Sequence, residues 1–304
     1  MSERLPPVGE PTIATGALRY RCLVERDALR VTGPEAGKFL QGQLTQDVLT
    51  VDLGAHRWSW LLEPAGRVVA LLRVFHPGEN EWVLESDPGW GAAVSARLAR
   101  FKLRTKADIE ATPAKLLCCR GPGWNLDGPL VADPPWPGVL GVDRLYLDDF
   151  PAVEASVSGD DSPGALALVE AQRIAAGQPR MGAEITERTI PAETGIVEWT
   201  VSFTKGCYTG QELVARIDSR GNHVPRKMVR LRLDGEVAAG SEMFDADGAS
   251  VVAAASGVSP GAAGRITSVG LSPSQGWVGL GYLERKAGSP VSLVADGVPV
   301  RVIG

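Results

Sequence analysis

Residues 201–216 read Val-Ser-Phe-Thr-Lys-Gly-Cys-Tyr-Thr-Gly-Gln-Glu-Leu-Val-Ala-Arg, a stretch that crowds a lysine, a thiol, an amide, a carboxylate and a guanidinium together. Cys207 is the nucleophile by type. Gly206 and Gly210 permit close backbone approach or a positive φ on either side of it. The run 211–216 has helix-forming composition, so Cys207 stands just ahead of a helix N-terminus. Free N–H groups there, together with the Lys205 charge, favour a thiolate. Lys205 can equally serve as a solvated turn residue or a grip on an anion. Glu212 suits a first helical turn, and Glu212 and Arg216 have the i,i+4 spacing of an ion pair. Tyr208 is placed to shield the cysteine or to pack on a neighbouring unit.

No built-in metal centre is expected. Cys22, Cys118 and Cys119 lie in apolar runs, where core packing is the ordinary outcome. There is no CxxC, and the adjacent 118–119 pair makes a strained bridge. His56, His76 and His223 stand far apart without ligand spacing around them. A net charge of −5 across 304 residues, without a basic stripe, argues against nucleic acid as partner. No apolar run approaches the roughly 20 residues a bilayer needs, and the polar start lacks a signal pattern, so no membrane partner and a cytoplasmic location are expected. With 36 glycines and 22 prolines, the chain should form many turns and short elements.

The elements that must position Cys207 follow from periodicity. Gly33-Pro34-Glu35 opens a helix with Phe39, Leu40, Leu44 and Val48 at helical spacing. Strands are expected over 57–62 and 67–75, joined by the turn Glu63-Pro64-Ala65-Gly66, and over 81–86. Trp58 and Trp60 lie on one strand face, as core or channel lining. A helix is expected over 88–102, then strands over 116–119 and 144–147. Between those two strands, 121–138 reads as a surface loop exposing Trp124 and Trp136. Residues 164–176 form a helix ended by Gly177, followed by a loop over 182–191. From residue 227 onward, short alternating strands broken by Gly, Ser and Asp predict a small β-barrel or sandwich.

The octapeptide Lys205-Gly-Cys-Tyr-Thr-Gly-Gln-Glu212, flanked by Ser-Phe-Thr and Leu-Val-Ala-Arg, resembles the signature of the YgfZ family. These are folate-binding proteins related to the glycine-cleavage T-protein and to the mitochondrial IBA57 proteins. Phe39-Leu-Gln-Gly-Gln-Leu-Thr-Gln-Asp47 is similar to the family's first helix. Arg173-Ile-Ala-Ala-Gly-Gln-Pro179 is similar to the helix end before its long inner loop, and 264–268 and 278–282 resemble its barrel. The resemblance covers about residues 17–304. It implies an α+β fold, a three-lobed cloverleaf of the glycine-cleavage T-protein type with a C-terminal β-barrel. On that plan 1–16 is a loose arm, 17–226 a folate-binding region of two interleaved α/β lobes, and 227–304 the barrel.

The same resemblance implies a folate-binding accessory protein without classical turnover, acting in iron–sulfur cluster assembly or the repair of iron–sulfur enzymes. Its partners would be folate, as tetrahydrofolate or a derivative, and iron–sulfur enzymes or assembly proteins. Cys207 would be the reactive group, with Lys205 beside it. Two positions depart from the wider folate group. The strand 66–75 lacks the carboxylate that one-carbon transfer requires, a group of a kind typically worth about 10²–10⁴-fold in rate. Ala175 stands where many members hold the pterin with a glutamate. Candidate ligand-binding residues are therefore Arg173, Glu184, Glu193, Tyr208, Gln211, Glu212 and Arg216. Two alternatives stay open: a tetrahydrofolate-dependent aminomethyl or one-carbon transferase, and a folate-independent thiol enzyme using Cys207. The latter wants a base near the thiol, and His223 is the nearest histidine in sequence.

Overall fold

The computed structural model describes residues 19–148, 163–221, 223–246, 259–287 and 292–303, so the arm 1–16 lies outside them. The fold is α+β. Its N-terminal part is built on seven antiparallel strands: β1 (Tyr20–Thr32), β2 (His56–Leu62), β3 (Val68–Gly78), β4 (Glu81–Ser86), β5 (Asp108–Arg120), β6 (Val131–Ala132) and β7 (Gly141–Leu147). They pair in the order β2-β3-β4-β1-β5-β7-β6. Two short helices, α1 (Ala36–Gln41) and α2 (Gly91–Ala99), pack against this sheet. The core holds Leu29, Leu40, Trp60, Leu72, Leu84 and Leu98 at 1 % exposure or less.

The opposite face of the sheet carries buried charge. Arg73 bonds Glu85 at 2.7 Å and Asp143 at 3.0 Å, Arg120 also grips Asp143, and Arg26 spans Glu85 and Asp87. Burial alone would raise the Asp143 carboxyl, but Arg120 and Arg73 hold it below the ordinary range. Three guanidinium groups face three carboxylates, which is how so many charges can leave water.

The chain then forms α3 (Pro163–Ala175), α4 (Val197–Thr200) and α5 (Gln211–Ser219). Strands β8 (Arg226–Leu233), β9 (Glu242–Asp245), β10 (Gly264–Ser272), β11 (Gly276–Glu284), β12 (Leu293–Ala295) and β13 (Val298–Val302) follow. These last six close a barrel in the order β10-β11-β8-β13-β12-β9 around Leu231, Met243, Ile266 and Ala295. α3 joins the two β-units. Tyr20 on β1 donates to the Leu168 carbonyl at 3.3 Å, and Arg173 donates to Ser268 on β10 at 2.9 Å. Gly270 on β10 lets the helix in, because a Cβ there would lie 2.9 Å from the Cα of Ala171.

Three sequence expectations need correction. The first helix stops at Gln41, because Leu44 leaves it to bridge Leu61 and Val48 begins a separate 3₁₀ turn. Trp136 is buried at 1 % exposure, not displayed on a loop; it packs edge-on to Trp58 and Trp199, with ring centroids 5.0 and 5.6 Å apart. β5 extends back to Asp108, since the exposed half of a paired strand shows no apolar run.

Candidate functional site

The turn that carries Cys207 is laid on the end of α1. Thr45 donates its hydroxyl to the Thr200 carbonyl at 2.6 Å, and Ser202 N–H donates to the Thr45 carbonyl at 3.0 Å. Gln46 donates to the Trp199 carbonyl at 3.0 Å, and Thr209 N–H to the Gly42 carbonyl at 3.1 Å. The two segments that carry the family resemblance, 39–47 and 201–212, are thus one docked unit.

Lys205 is the central fastening. Its ammonium donates to the carbonyls of Gln41 at 2.6 Å, Leu44 at 2.8 Å and Gln46 at 2.9 Å. These are its whole complement of donors, and carbonyls at a helix C-terminus attract a cation. Burial pushes Lys205 down to about 8, with Asp47 opposing. The charge is therefore spent on the α1 end rather than on an exposed ligand.

Two glycines lock the other side. Gly210 has φ +87°, and a Cβ there would lie 2.7 Å from the Glu63 carbonyl oxygen. Gly66, in the β2–β3 turn at φ +81°, would place a Cβ 2.5 Å from the Cβ of Leu213. Each glycine admits the other turn at a point where a side chain of its own would clash. Gln211 opens α5 and accepts the Tyr208 N–H at 3.1 Å, closing the turn. The Tyr208 ring packs on the main core, and burial pushes its hydroxyl up to about 12, so it stays protonated near neutrality.

Between these fastenings, Gly206 and Cys207 face water. Among the described residues none hydrogen-bonds the Cys207 sulfur, so no base, His223 included, is hydrogen-bonded to it. Phe203, half exposed, stands on the same turn and caps a small apolar niche lined by Pro191, Val197, Leu213, Val214 and Ile217. Glu212 and Arg216 are exposed and form no ion pair with each other, contrary to their spacing. α5 is too short and too solvated to hold them in one geometry.

The other candidate ligand residues lie at the junction of α3 and the barrel. Arg173 holds Glu170 through two bonds of 2.9 and 2.8 Å and Glu184 at 3.1 Å. Glu184, 1 % exposed, also accepts from Arg180 N–H at 3.0 Å, Thr267 at 2.7 Å and Ser268 at 2.5 Å. Its backbone carbonyl accepts the Tyr282 hydroxyl at 3.1 Å. Glu193 is paired with Arg226 at 3.2 Å; burial keeps its carboxyl above the usual range although Arg226 opposes. The structure thus brings Lys205, Cys207, Tyr208 and Gln211 together on one turn and places Arg173 and Glu184 in a separate network. Sequence reasoning missed the carbonyls of Gln41, Leu44 and Gln46, which as main chain leave no residue-type signal. It also missed Gln43, whose side-chain oxygen accepts from Arg97 at 3.2 Å.

The architecture has a solved counterpart. The aminomethyltransferase T of the glycine cleavage system from Bartonella henselae superposes with a TM-score of 0.73 over 94% of this chain and 85% of its own, at 20% identity. The chain therefore has the T-protein fold. Within that class it belongs to the YgfZ family: it is 30% identical over 254 residues to the tRNA-modifying protein YgfZ of Pectobacterium carotovorum, covering 72% of this chain and 73% of the relative. It is also 27% identical over 232 residues to the mitochondrial iron–sulfur cluster assembly factor IBA57 homologue of Neurospora crassa, of whose length it spans about half, 52%. No family model matches the chain. No helix among the described residues is long and apolar enough to cross a membrane.

Proposed function

We propose that this protein is an accessory factor in the assembly or repair of iron–sulfur clusters, with the Cys207 thiol as its working group. One observation carries the reading: Cys207 faces solvent on a turn in which Lys205 and Thr209 are anchored to the end of α1 and the segment just after it, and Tyr208 to the start of α5. A thiol so held can enter a thiolate bond to iron or a sulfur exchange without rearranging its support. One cysteine cannot complete the four-ligand shell of a cluster, so the remaining ligands come from a client or a second protein. Family membership and the name of the Neurospora relative support this direction.

The candidate residues at the junction of α3 and the barrel have little left to offer the tetrahydrofolate that the resemblance implies. Ala175 offers no side-chain acceptor, the Glu184 oxygens are filled from within the chain, and Glu193 is committed to Arg226. A pterin N–H buried without an acceptor would cost about 1–3 kcal/mol. The carboxylate that aminomethyl transfer needs is likewise missing from β3, whose one inward charge is Arg73.

The test is complementation of a strain lacking its own YgfZ-type protein, read as the activity of its iron–sulfur enzymes. The wild-type chain should restore activity and Cys207→Ser should not, at equal soluble protein level. Full rescue by Cys207→Ser would overturn the role of the thiol.

A further inference from the structure

Cys22 and Cys118 are directly opposed across the centre of the large sheet. β1 and β5 pair without a bulge from Tyr20↔Arg120 to Thr32↔Asp108, and Cys22↔Cys118 is one of these pairs. On the far side of β5, Asp148 N–H bonds the Pro113 carbonyl and Gly121 N–H bonds the Leu140 carbonyl. The odd residues of β5 therefore aim their backbone groups at β7, and the even ones, Cys118 among them, aim at β1. That makes Cys22↔Cys118 a hydrogen-bonded antiparallel pair, with a Cα separation of about 5.5 Å. Disulfides span Cα separations of about 4.4–6.8 Å, so the pair is within reach; its Cβ atoms, at the wide end of about 4.5–5.5 Å, must be drawn together to join, which leaves the bond strained and readily reduced.

The side chains agree. Cys22 and Cys118 share one apolar cluster with Ala114, Leu116, Leu145 and Val169 of α3, whereas Cys119 points to the other face, among Leu117 and Val142. Cys22 is the neighbour that most perturbs the Cys118 thiol. Cys118 is 3 % exposed, while Cys22 is partly open to water. Contact with Cys22, burial and the nearby Asp143 carboxylate all keep the proton on Cys118, so the attacking sulfur is the accessible one.

The geometry points to Cys22 and Cys118 as an oxidisable dithiol, a modification site whose co-reactant is a hydroperoxide. The Cys22 sulfur gives up its proton and attacks the peroxide; the O–O bond breaks, water leaves, and Cys22 becomes a sulfenic acid. The Cys118 sulfur then attacks the Cys22 sulfur. The S–O bond breaks, the departing hydroxide takes the Cys118 proton as water, and the S–S bond remains. Two thiols are oxidised by two electrons and one hydroperoxide is reduced. A dithiol reductant reverses the reaction by exchange. This site is separate from Cys207, and its test does not depend on the role of that residue.

The experiment is treatment of the purified full chain with hydrogen peroxide, followed by trypsin digestion without reduction and mass spectrometry. The expected product is peptide 22–26 joined to peptide 116–120, lighter by two hydrogens than the two peptides summed. Fragmentation between Cys118 and Cys119 should place the bond at Cys118. The linked species should persist in Cys119→Ser and vanish in Cys22→Ser. A bond at Cys119, or no link at a peroxide dose that oxidises Cys207, would overturn the proposal. The mapping on the unsubstituted protein decides the matter even if a variant fails to fold.

Discussion

At the junction of α3 and the barrel, the Glu184 carboxylate is filled by Arg173, Arg180, Thr267 and Ser268; on the turn after α4, the Cys207 sulfur has no hydrogen-bond partner among the described residues. Both places were candidate sites by residue type. The first is a joint, where polar groups are consumed in holding two β-units together. The second is a display, where the polar groups around the thiol are consumed so that the thiol itself is not. A buried carboxylate with a full set of partners has little left to offer a ligand, whereas an exposed atom on a pinned turn is available to one.

That contrast can be broken by substitution. Glu184→Ala should be the most damaging change, because it takes one of the two carboxylates from buried Arg173, leaves the Ser268 hydroxyl and Arg180 N–H without their acceptor, and opens a void at the joint. A loss of about 3–5 kcal/mol in urea-unfolding stability is expected. A loss below about 1 kcal/mol would show that Glu184 is not needed as a joint. Lys205→Met keeps the stem but removes the ammonium from its three carbonyls, and should cost about 2–4 kcal/mol by the same measurement. If Lys205 instead served an exposed ligand, the variant would unfold like the wild type.

A third test uses pH. Burial, with Arg73 and Arg57 adding to it, pushes His56 down to about 4. The unfolded chain, with His near about 6.5, takes up that proton first. Stability contributed by neutral His56 is therefore complete above about pH 6.5 and is lost as pH falls through 4, by about 2–3 kcal/mol. Unfolding curves of wild type and His56→Gln should converge over that window; parallel curves would mean that His56 is not held neutral. The smallest effect belongs to Cys207→Ser, which should change stability by no more than about 0.5 kcal/mol, since the sulfur has no partner to lose.

Much of the frame was legible because period and turn chemistry are local. β2, β4, α3, α5 and the barrel strands other than β9 follow from alternation, helical composition and the Gly66 and Gly177 stops. β1 was not legible, although it is central. Its apolar alternation is interrupted by Glu25, Arg26, Asp27 and Arg30, and their partners come from elsewhere in the chain: Lys115 for Glu25, Glu85 and Asp87 for Arg26, the Gly91 N–H for Asp27 and Glu81 for Arg30. A sequence shows such charges but not their pairing. Trp136 misled for the same reason: a proline- and glycine-rich stretch looks solvated until Trp58 and Trp199 enclose it. In the candidate site, Cys207 was evident from its neighbours in sequence. The duties of Lys205 and Glu184 were not, because both are defined by atoms far along the chain.

The interlocked glycines bear on how the molecule comes to exist. Residues 205–212 can take their shape only against the α1 end and the Gly66 turn, both made long before them during synthesis. The Gly66–Leu213 and Gly210–Glu63 contacts can form only with the β2–β3 hairpin closed. Contacts of such long sequence separation form late, after the entropy of closing the intervening chain has been overcome. The exposed thiol is thus presented in its native setting only by a chain whose earlier half has finished folding, and a truncated or stalled product would not display it.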